Sequence, residues 1–362
     1  MIRILMEGMS RNLGGLEKFI KTVYDALDPN KYQIDFLVYD DSIPYEQKLL
    51  DNGSHIYRVT PRSKGAKKSK KELDILFQKE HFDIFWSNRT MISNINALVS
   101  AKKHSVPTRI IYSHASQNMG SFFTLCMHTL NKLRIKKVAN KFAACSKVAG
   151  EWFFGKNLEN VSIIKNGIAI SDYIYSPERE KAMRVALGLK EDTFVVTHIG
   201  RFSPEKNHKF LFEIFVEILK LNPNSVLLLC GDGDLRPELE NQAKKLDIEQ
   251  QIRFLGIRND IPEILQCTDV FILPSLFEGF GIVLVESQAA GVMSFTSETV
   301  VPKDVQITEL LHYLPLEESP YFWAKQILNK SKYIKKDRSE ELNHAGITVE
   351  SMMENIQRLL LS

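Results

Sequence analysis

Apolar runs that read as buried strands alternate with helical periodicity along nearly the whole chain, a pattern that folds into parallel sheets covered by helices. Strands are expected near Ile2–Met6, Gln33–Val38, His55–Val59, Asp83–Trp86, Arg109–Ser113, Phe142–Cys145 and Val161–Ile164. A second series is expected near Thr193–Ile199, Val226–Cys230, Ile252–Leu255, Val270–Leu273 and Val292–Phe295. Helices are expected over 17–27, 70–80, 121–141, 207–221, 236–246, 281–290 and 319–330, with the basic segment Arg62–Lys71 as an exposed loop leading into one of them. At 362 residues the chain exceeds one ordinary core. The segment Asn166–Arg179, with Gly167 and Pro177, interrupts the pattern and reads as a link between two α/β domains. The amphipathic stretch Val349–Leu361 is suited to cross back to the first domain.

No apolar run reaches membrane-spanning length, and Met1–Met6 reads as a first strand instead of a signal peptide. The four cysteines are far apart and lack metal spacing, which points to reduced cytosolic thiols. Net charge is only +3, but residues 1–170 hold 26 Lys/Arg against 15 Asp/Glu. Between Asp83 and Glu151 there is no acidic residue and there are ten basic ones. The asymmetry points to an anionic surface meeting the N-terminal half. Within it, the helical segment Ser121–Lys141 joins Phe122, Phe123, Cys126, Leu130 and Leu133 to Lys132, Arg134, Lys136 and Lys137. The apolar stripe is expected to be buried in the domain, and the charge excess to contact an anionic bilayer. Nothing resembles a nucleic-acid module, and no nucleic-acid partner is expected.

The densest chemistry lies in Pro274–Gly291, where Glu278 and Glu286 bracket a Gly-Phe-Gly turn between an apolar strand and a helix start. Free N–H groups at such a terminus suit an anion, and the carboxylates suit hydroxyl donors. A nucleotide-sugar fits both. After Thr193–Ile199, Gly200 lets backbone approach a ligand, Arg201 offers a planar fork and Lys206 a point charge, as a diphosphate requires. Gly14-Gly15 lies between the first strand and first helix, where it could close over a phosphate or sugar or be a plain turn. Gly8 and Gly14 are too far apart for a dinucleotide fingerprint. His114 ends an apolar strand, where a side chain reaches a crevice instead of the core. Asp232-Gly-Asp234 fits a tight turn better than a metal-binding pair, and no catalytic metal or other cofactor is expected.

Taken together, Gly14-Gly15, His114, Asn166-Gly167-Ile168, Gly200-Arg201 with Lys206, and Glu278-x7-Glu286 resemble the retaining glycosyltransferases of family 4. The resemblance covers essentially the whole chain. Ala144-Cys-Ser-x-x-Ala-Gly-Glu-Trp-Phe-Phe-Gly155 and Lys206-Asn-His further resemble the branch making exopolysaccharides and capsules. It implies the GT-B fold: a Rossmann-like acceptor domain over 1–170, completed by 349–362, and a Rossmann-like donor domain over 171–348, facing across a cleft. It implies transfer of a hexosyl or N-acetylhexosaminyl group from a nucleotide-diphospho-sugar, UDP preferred over GDP, to a lipid-linked glycan at the inner face of the cell membrane. Arg201 and Lys206 would hold the diphosphate, helped by Gly279, Phe280, Gly281, the helix start at Ile282 and Val283, and Gly15 across the cleft. Glu278 would accept from sugar hydroxyls and Glu286 from the ribose, while Gly256, Ile257 and Arg258 would meet the base. His114 would lie beside the transferred sugar, orienting it or stabilising charge. A nucleotide-sugar epimerase of similar fold and a non-catalytic binding subunit are the competing readings. Relatives commonly extend past a Tyr-rich C-terminal end, which leaves the packing of the crossing helix open.

Overall fold

Successive residues of a strand point to opposite sides of a sheet, and in this chain both sides are apolar. The computed structural model describes residues 1–11, 14–115, 121–156 and 160–361. In its first unit, Ile4 and Met6 enter one core while Leu5 enters another, and the same division separates Phe36 and Val38 from Leu37, Ile84 and Trp86 from Phe85, and Ile110 and Tyr112 from Ile111. Burial on both faces is why these strands read as continuous apolar runs instead of alternating ones.

The strands are β1 (Ile2–Glu7), β2 (Tyr32–Val38), β3 (Ile56–Arg58), β4 (Ile84–Arg89), β5 (Thr108–Ser113), β6 (Lys141–Ala144), β7 (Val161–Ile163), β8 (Phe194–Ile199), β9 (Ser225–Cys230), β10 (Ile252–Gly256), β11 (Val270–Leu273), β12 (Met293–Ser297) and β13 (Leu311–Leu314). They form two parallel sheets, ordered β3-β2-β1-β4-β5-β6-β7 and β10-β9-β8-β11-β12-β13. In each the strand order reverses beside a central strand, between β1 and β4 and between β8 and β11. Loops leaving the carboxyl ends at such a reversal splay apart and open a ligand crevice.

The two compact units are Met1–Gly167 with Val349–Ser362, and Ile168–Thr348. The helix Val349–Leu361 contributes Met352, Met353, Ile356, Leu359 and Leu360 to the core that also holds Phe19, Ile20 and Val23. At about 2 kcal/mol per buried large side chain this amounts to on the order of 10 kcal/mol of gross transfer energy, before ordering costs. Lys141 Nζ donates to the Leu359 and Leu360 carbonyls at 2.7 and 3.2 Å, so a cation satisfies acceptors that the helix end leaves open. In the second unit, Leu211, Phe212, Phe215 and Ile218 of the helix His208–Leu221 pack on the sheet with Trp323 and Ile327.

One sequence expectation is corrected. Arg62–Lys71 is helical, part of Arg62–Lys79, which is broken at Gly65; Ser69 and Leu73 are buried and hold this lysine-rich stretch to the unit. The segment taken as a link is itself structured, with helices at Ile170–Tyr173 and Pro177–Ala186, the second started by the Ser176 hydroxyl accepting the Arg179 N–H. The short edge strand β13 was not anticipated.

Candidate active site

The loops that leave β8 and β11 are fastened to each other. Leu276 N–H donates to the Glu205 carbonyl at 2.8 Å, and Asn207 Nδ2 to the Pro274 carbonyl at 3.1 Å. Ser297 Oγ, at the end of β12, donates to the Ser275 carbonyl at 2.6 Å. This brings Lys206 Nζ to 2.5 Å from Glu278 Oε1, which also accepts from Ser275 Oγ at 2.7 Å. The Lys206 side chain is 17% exposed and that of Glu278 8%, so the pair is mostly withdrawn from water. An ammonium is a donor suited to phosphate and a carboxylate an acceptor suited to hydroxyls, so the pair's chemistry matches a ligand bearing both.

Close backbone approach builds the floor. Cβ atoms on Gly200 would sit 3.3 Å from Lys206 Cε, on Gly231 1.9 Å from the Gly200 carbonyl oxygen, and on Gly233 2.5 Å from the Phe202 oxygen. The loops after β8 and β9 therefore lie flush only because glycines face each other. Asp232 belongs to this turn: it accepts the Gly233 N–H at 2.8 Å and pairs with Arg236 at 3.2 Å. Among the described residues, no three His, Cys, Asp or Glu side chains are grouped so as to hold a metal ion.

The other expected donor residues surround this junction unequally. Arg201 is exposed, with its carbonyl accepting from the Ser203 N–H and hydroxyl and its guanidinium left to solvent. Gly281 caps the start of the helix Ile282–Ala289 in the left-handed conformation (φ 78°), so Ile282 and Val283 lie in the first turn, where N–H groups lack intrahelical acceptors, and the preceding Phe280 is buried. Glu286 is buried within that helix and faces Tyr173, whose phenol is pushed up by its own burial and by the Glu286 charge. Gly256 (φ 69°) ends β10 in a register shift and its carbonyl accepts the Gly231 N–H at 2.8 Å. Ile257 is exposed, and Arg258 is engaged by Asp260 through bonds of 2.8 and 2.5 Å, which hold the carboxyl below its usual range. The structure thus joins Lys206 to Glu278 directly. Arg201, Glu286 and Arg258 touch other groups or solvent.

Beneath Lys206 lie two residues whose role the sequence did not disclose. The His198 and His208 rings meet edge to face at 4.7 Å, both buried, and His198 Nδ1 lies 2.9 Å from the Ile272 carbonyl. Burial pushes both imidazoles down, His208 to about 4, and the Lys206 charge adds to the effect. The Lys206-Asn-His motif contained the signal for His208. Nothing marked its pairing with His198.

In the first unit, Gly14 caps the helix Gly15–Ala26, and its N–H donates to Glu17 Oε2 at 3.0 Å. A Cβ on Gly15 would meet nothing within 4 Å, so this fold does not itself demand glycine there. His114 follows β5 and its Nε2 lies 3.1 Å from Asn88 Oδ1. Two surface hollows, of about 330 and 380 Å³, touch none of these residues.

The basic helix requires a correction. Phe122–Val138 buries His128, Asn131 and Ile135 and leaves Phe122, Phe123, Leu130 and Leu133 exposed by 55–80%, the reverse of the expected burial. The reason is backbone satisfaction: the Ile92 N–H donates to His128 Nδ1 at 3.3 Å, and the Ile92 carbonyl accepts from Asn131 Nδ2 at 2.7 Å. At 3.6 residues per turn, Phe122, Leu133, Lys137, Leu130, Phe123 and Arg134 share an arc of roughly 120°. Lys136 lies exposed beside it, while Lys132 turns toward the Trp152 ring, 4.9 Å from its centroid.

Two doubly wound parallel-sheet units of this kind make up the GT-B fold, and most of the chain is similar in sequence to glycosyltransferases. Residues 179–310 match the family model described as Glycosyl transferases group 1. The putative glycosyltransferase EpsF of Bacillus subtilis is 29% identical over 331 residues, 89% of this chain and 85% of that protein. An Escherichia coli UDP-Gal:alpha-D-GlcNAc-diphosphoundecaprenol alpha-1,3-galactosyltransferase is 36% identical over 140 residues, covering 38% of this chain and 36% of its own. Among solved structures, Anabaena HepE, in complex with UDP and glucose, shares the fold over 100% of both chains with a TM-score of 0.78 at 20% identity. The sucrose-phosphate synthase of Thermosynechococcus elongatus does so over 100% and 99% of the two chains, with a TM-score of 0.75 at 15% identity. The family 4 resemblance and its exopolysaccharide branch stand.

Proposed function

We propose that the protein transfers a hexosyl or N-acetylhexosaminyl group from a UDP-linked sugar to a hydroxyl of a lipid-linked glycan in exopolysaccharide or capsule synthesis, with retention and without a catalytic metal. The observation that carries this reading is the Lys206–Glu278 junction, a half-buried cation beside a buried carboxylate at the ends of two strands. The UDP-linked donor and diphosphoundecaprenol acceptor in the name of the E. coli relative, and the UDP complex of HepE, support it. The second unit is the donor domain and the first unit takes the acceptor.

Lys206 and Arg201 offset the charge that gathers on the diphosphate as its bond to the anomeric carbon breaks. The N–H groups of Ile282 and Val283 assist, Glu278 accepts from sugar hydroxyls and Glu286 from the ribose. In the second unit the backbone of Gly256, Ile257 and Arg258 meets the base; in the first, Gly14 and Gly15 are suited to a phosphate or sugar and His114 to a sugar. The acceptor oxygen bonds to the anomeric carbon on the face the phosphate leaves, and the acceptor proton passes to the departing phosphate oxygen. No protein nucleophile is required, unlike a retaining glycosidase.

The helix Phe122–Val138 carries the second part of the reading, peripheral attachment to the inner face of the cell membrane. Its exposed aromatic and leucine side chains enter the bilayer boundary, and Arg134, Lys136 and Lys137 meet anionic headgroups. Lys132, held at Trp152, contributes less. Among the described residues, no helix is long and apolar enough to cross a membrane.

Screening UDP- and GDP-sugars for thermal stabilisation, then following product by NMR with an isolated lipid-linked acceptor, tests the reaction. A product of inverted anomeric configuration, or turnover abolished by chelator and restored by a divalent cation, would sink the mechanism. Flotation with anionic vesicles should weaken with salt and with Phe122→Ser/Phe123→Ser; indifference to both removes the membrane proposal.

A further inference from the structure

A carbonyl oxygen accepts hydrogen bonds and never donates them, and this rule passes through three residues at the centre of the first sheet. The Glu7 carbonyl lies 3.1 Å from Asn88 Nδ2. Turning the amide over would set Oδ1 against that carbonyl with no hydrogen between two acceptors, so the Asn88 orientation is fixed. Asn88 is 1% exposed. Gly8 lies against it so closely that a Cβ there would fall 2.8 Å from Asn88 Cβ. The Asn88 oxygen then faces His114 Nε2 at 3.1 Å, and because it too only accepts, Nε2 must carry a hydrogen.

The ring is held from its sides by Phe19 and Tyr112, with centroids at 4.7 and 4.2 Å and steep interplanar angles. Its own main-chain N–H donates to the Arg89 carbonyl at 2.9 Å. The charged groups in this neighbourhood are engaged with one another: the Glu7 carboxylate accepts from Arg89, from Tyr39 at 2.7 Å and from Ser87 at 2.5 Å. Burial in this setting pushes the His114 imidazole down to about 3, which leaves it neutral. A neutral imidazole with hydrogen on Nε2 has its lone pair on Nδ1.

We propose that Asn88 is a positioning residue that locks His114 in the Nε2–H form, so that His114 meets the sugar substrate as a hydrogen-bond acceptor at Nδ1 and selects a hydroxyl there. The substrate half of this inference rests on the reading of His114 as a sugar contact. The lock rests only on Glu7, Asn88 and His114. Of the two roles open to His114 in the sequence, orientation through a hydroxyl is the one this polarity serves.

The lock is read by long-range ¹H–¹⁵N NMR of histidine-labelled full chain, with His114 assigned by its loss in His114→Ala. In the wild type at neutral pH the expected signature is a protonated Nε2 and an unprotonated Nδ1. Asn88→Ala should release the ring into a mixture of both tautomers. Asn88→Asp should set a carboxylate against Nε2 and produce imidazolium at neutral pH, with turnover of the donor found by the nucleotide-sugar screen falling about tenfold per pH unit below the new pKa. A wild-type ring protonated at Nδ1, a measurement that needs no variant to fold, overturns the proposal, as does a tautomer unchanged in folded Asn88→Ala. If the expected tautomer is found while His114→Ala turns over donor at the wild-type rate, the lock stands and the acceptor role is overturned.

Discussion

Replacing Lys206 should separate the structural work of the Lys206–Glu278 pair from its chemical work. Lys206→Met keeps the aliphatic stem and removes the ammonium, which leaves the Glu278 carboxylate buried with Ser275 Oγ still donating to it. Removing one partner of a buried pair costs about 3–5 kcal/mol. With side chains 17% and 8% exposed and Ser275 retained, the lower end applies, about 3 kcal/mol. For a unit of this size each kcal/mol shifts Tm by about 2–4 °C, so the second unit should melt roughly 6–12 °C lower. Hydrogen exchange at the amides of β8 and β11 reads this unit separately from the first. Adding Glu278→Gln removes the carboxylate charge that Lys206 balanced and should restore about 2 kcal/mol. Turnover should fall about 10²–10³-fold in the single variant and should not recover in the double. A Lys206→Met protein that melts with the wild type would refute the buried pair; one that melts early yet turns over donor normally would refute its place at the reacting bond.

Arg201→Ala should reduce turnover by about 10²–10³-fold while changing stability by less than about 0.5 kcal/mol, because its guanidinium faces solvent; urea unfolding and donor kinetics on one sample check both. His198 and His208 have folded pKa values below the ordinary 6.5, so the stability they contribute is complete above about pH 6.5 and is lost as pH falls, for His208 toward about 4. The loss is at most about 3 kcal/mol for His208, and a His208→Gln protein should show a flatter melting profile from pH 7 to 4. Gly231→Ala should lower the stability of the second unit by more than about 3 kcal/mol and abolish donor stabilisation, since its Cβ would overlap the Gly200 carbonyl at φ 146°; a wild-type melting temperature would show that the two loops do not lie flush.

All twelve expected strands are present; the central ones, buried on both faces, announce themselves by an unbroken apolar run, as Val270–Leu273 does. The unanticipated helices are short or lie on segments with turn chemistry: Pro177–Ala186 begins at a proline read as an interruption, although proline is well suited to a first helical turn. Lys206 and Glu278 stood out in the sequence as candidate donor residues because each follows the end of an apolar strand. Their 2.5 Å pairing was not, since 72 positions separate them in the chain. The helix Phe122–Val138 misled for an instructive reason. Its composition says that phenylalanine and leucine turn inward, but the backbone of Ile92 required polar partners, and His128 and Asn131 took the inward places. The Asn88–His114 bond was invisible for the same reason as the His198–His208 pair: each depends on which strand ends become neighbours.

Because Met352, Ile356 and Leu359 complete a hydrophobic core begun by Ile4 and Met6, that unit cannot close its interior until residues 349–361 have been made. While a ribosome still holds residues 349–361, the unit that contains Ile4 and Met6 must wait with part of its interior open to water, although all of Ile168–Thr348 has already been made. Nascent chains stalled just before residue 349 should therefore expose protease sites in the earlier half and protect the later one.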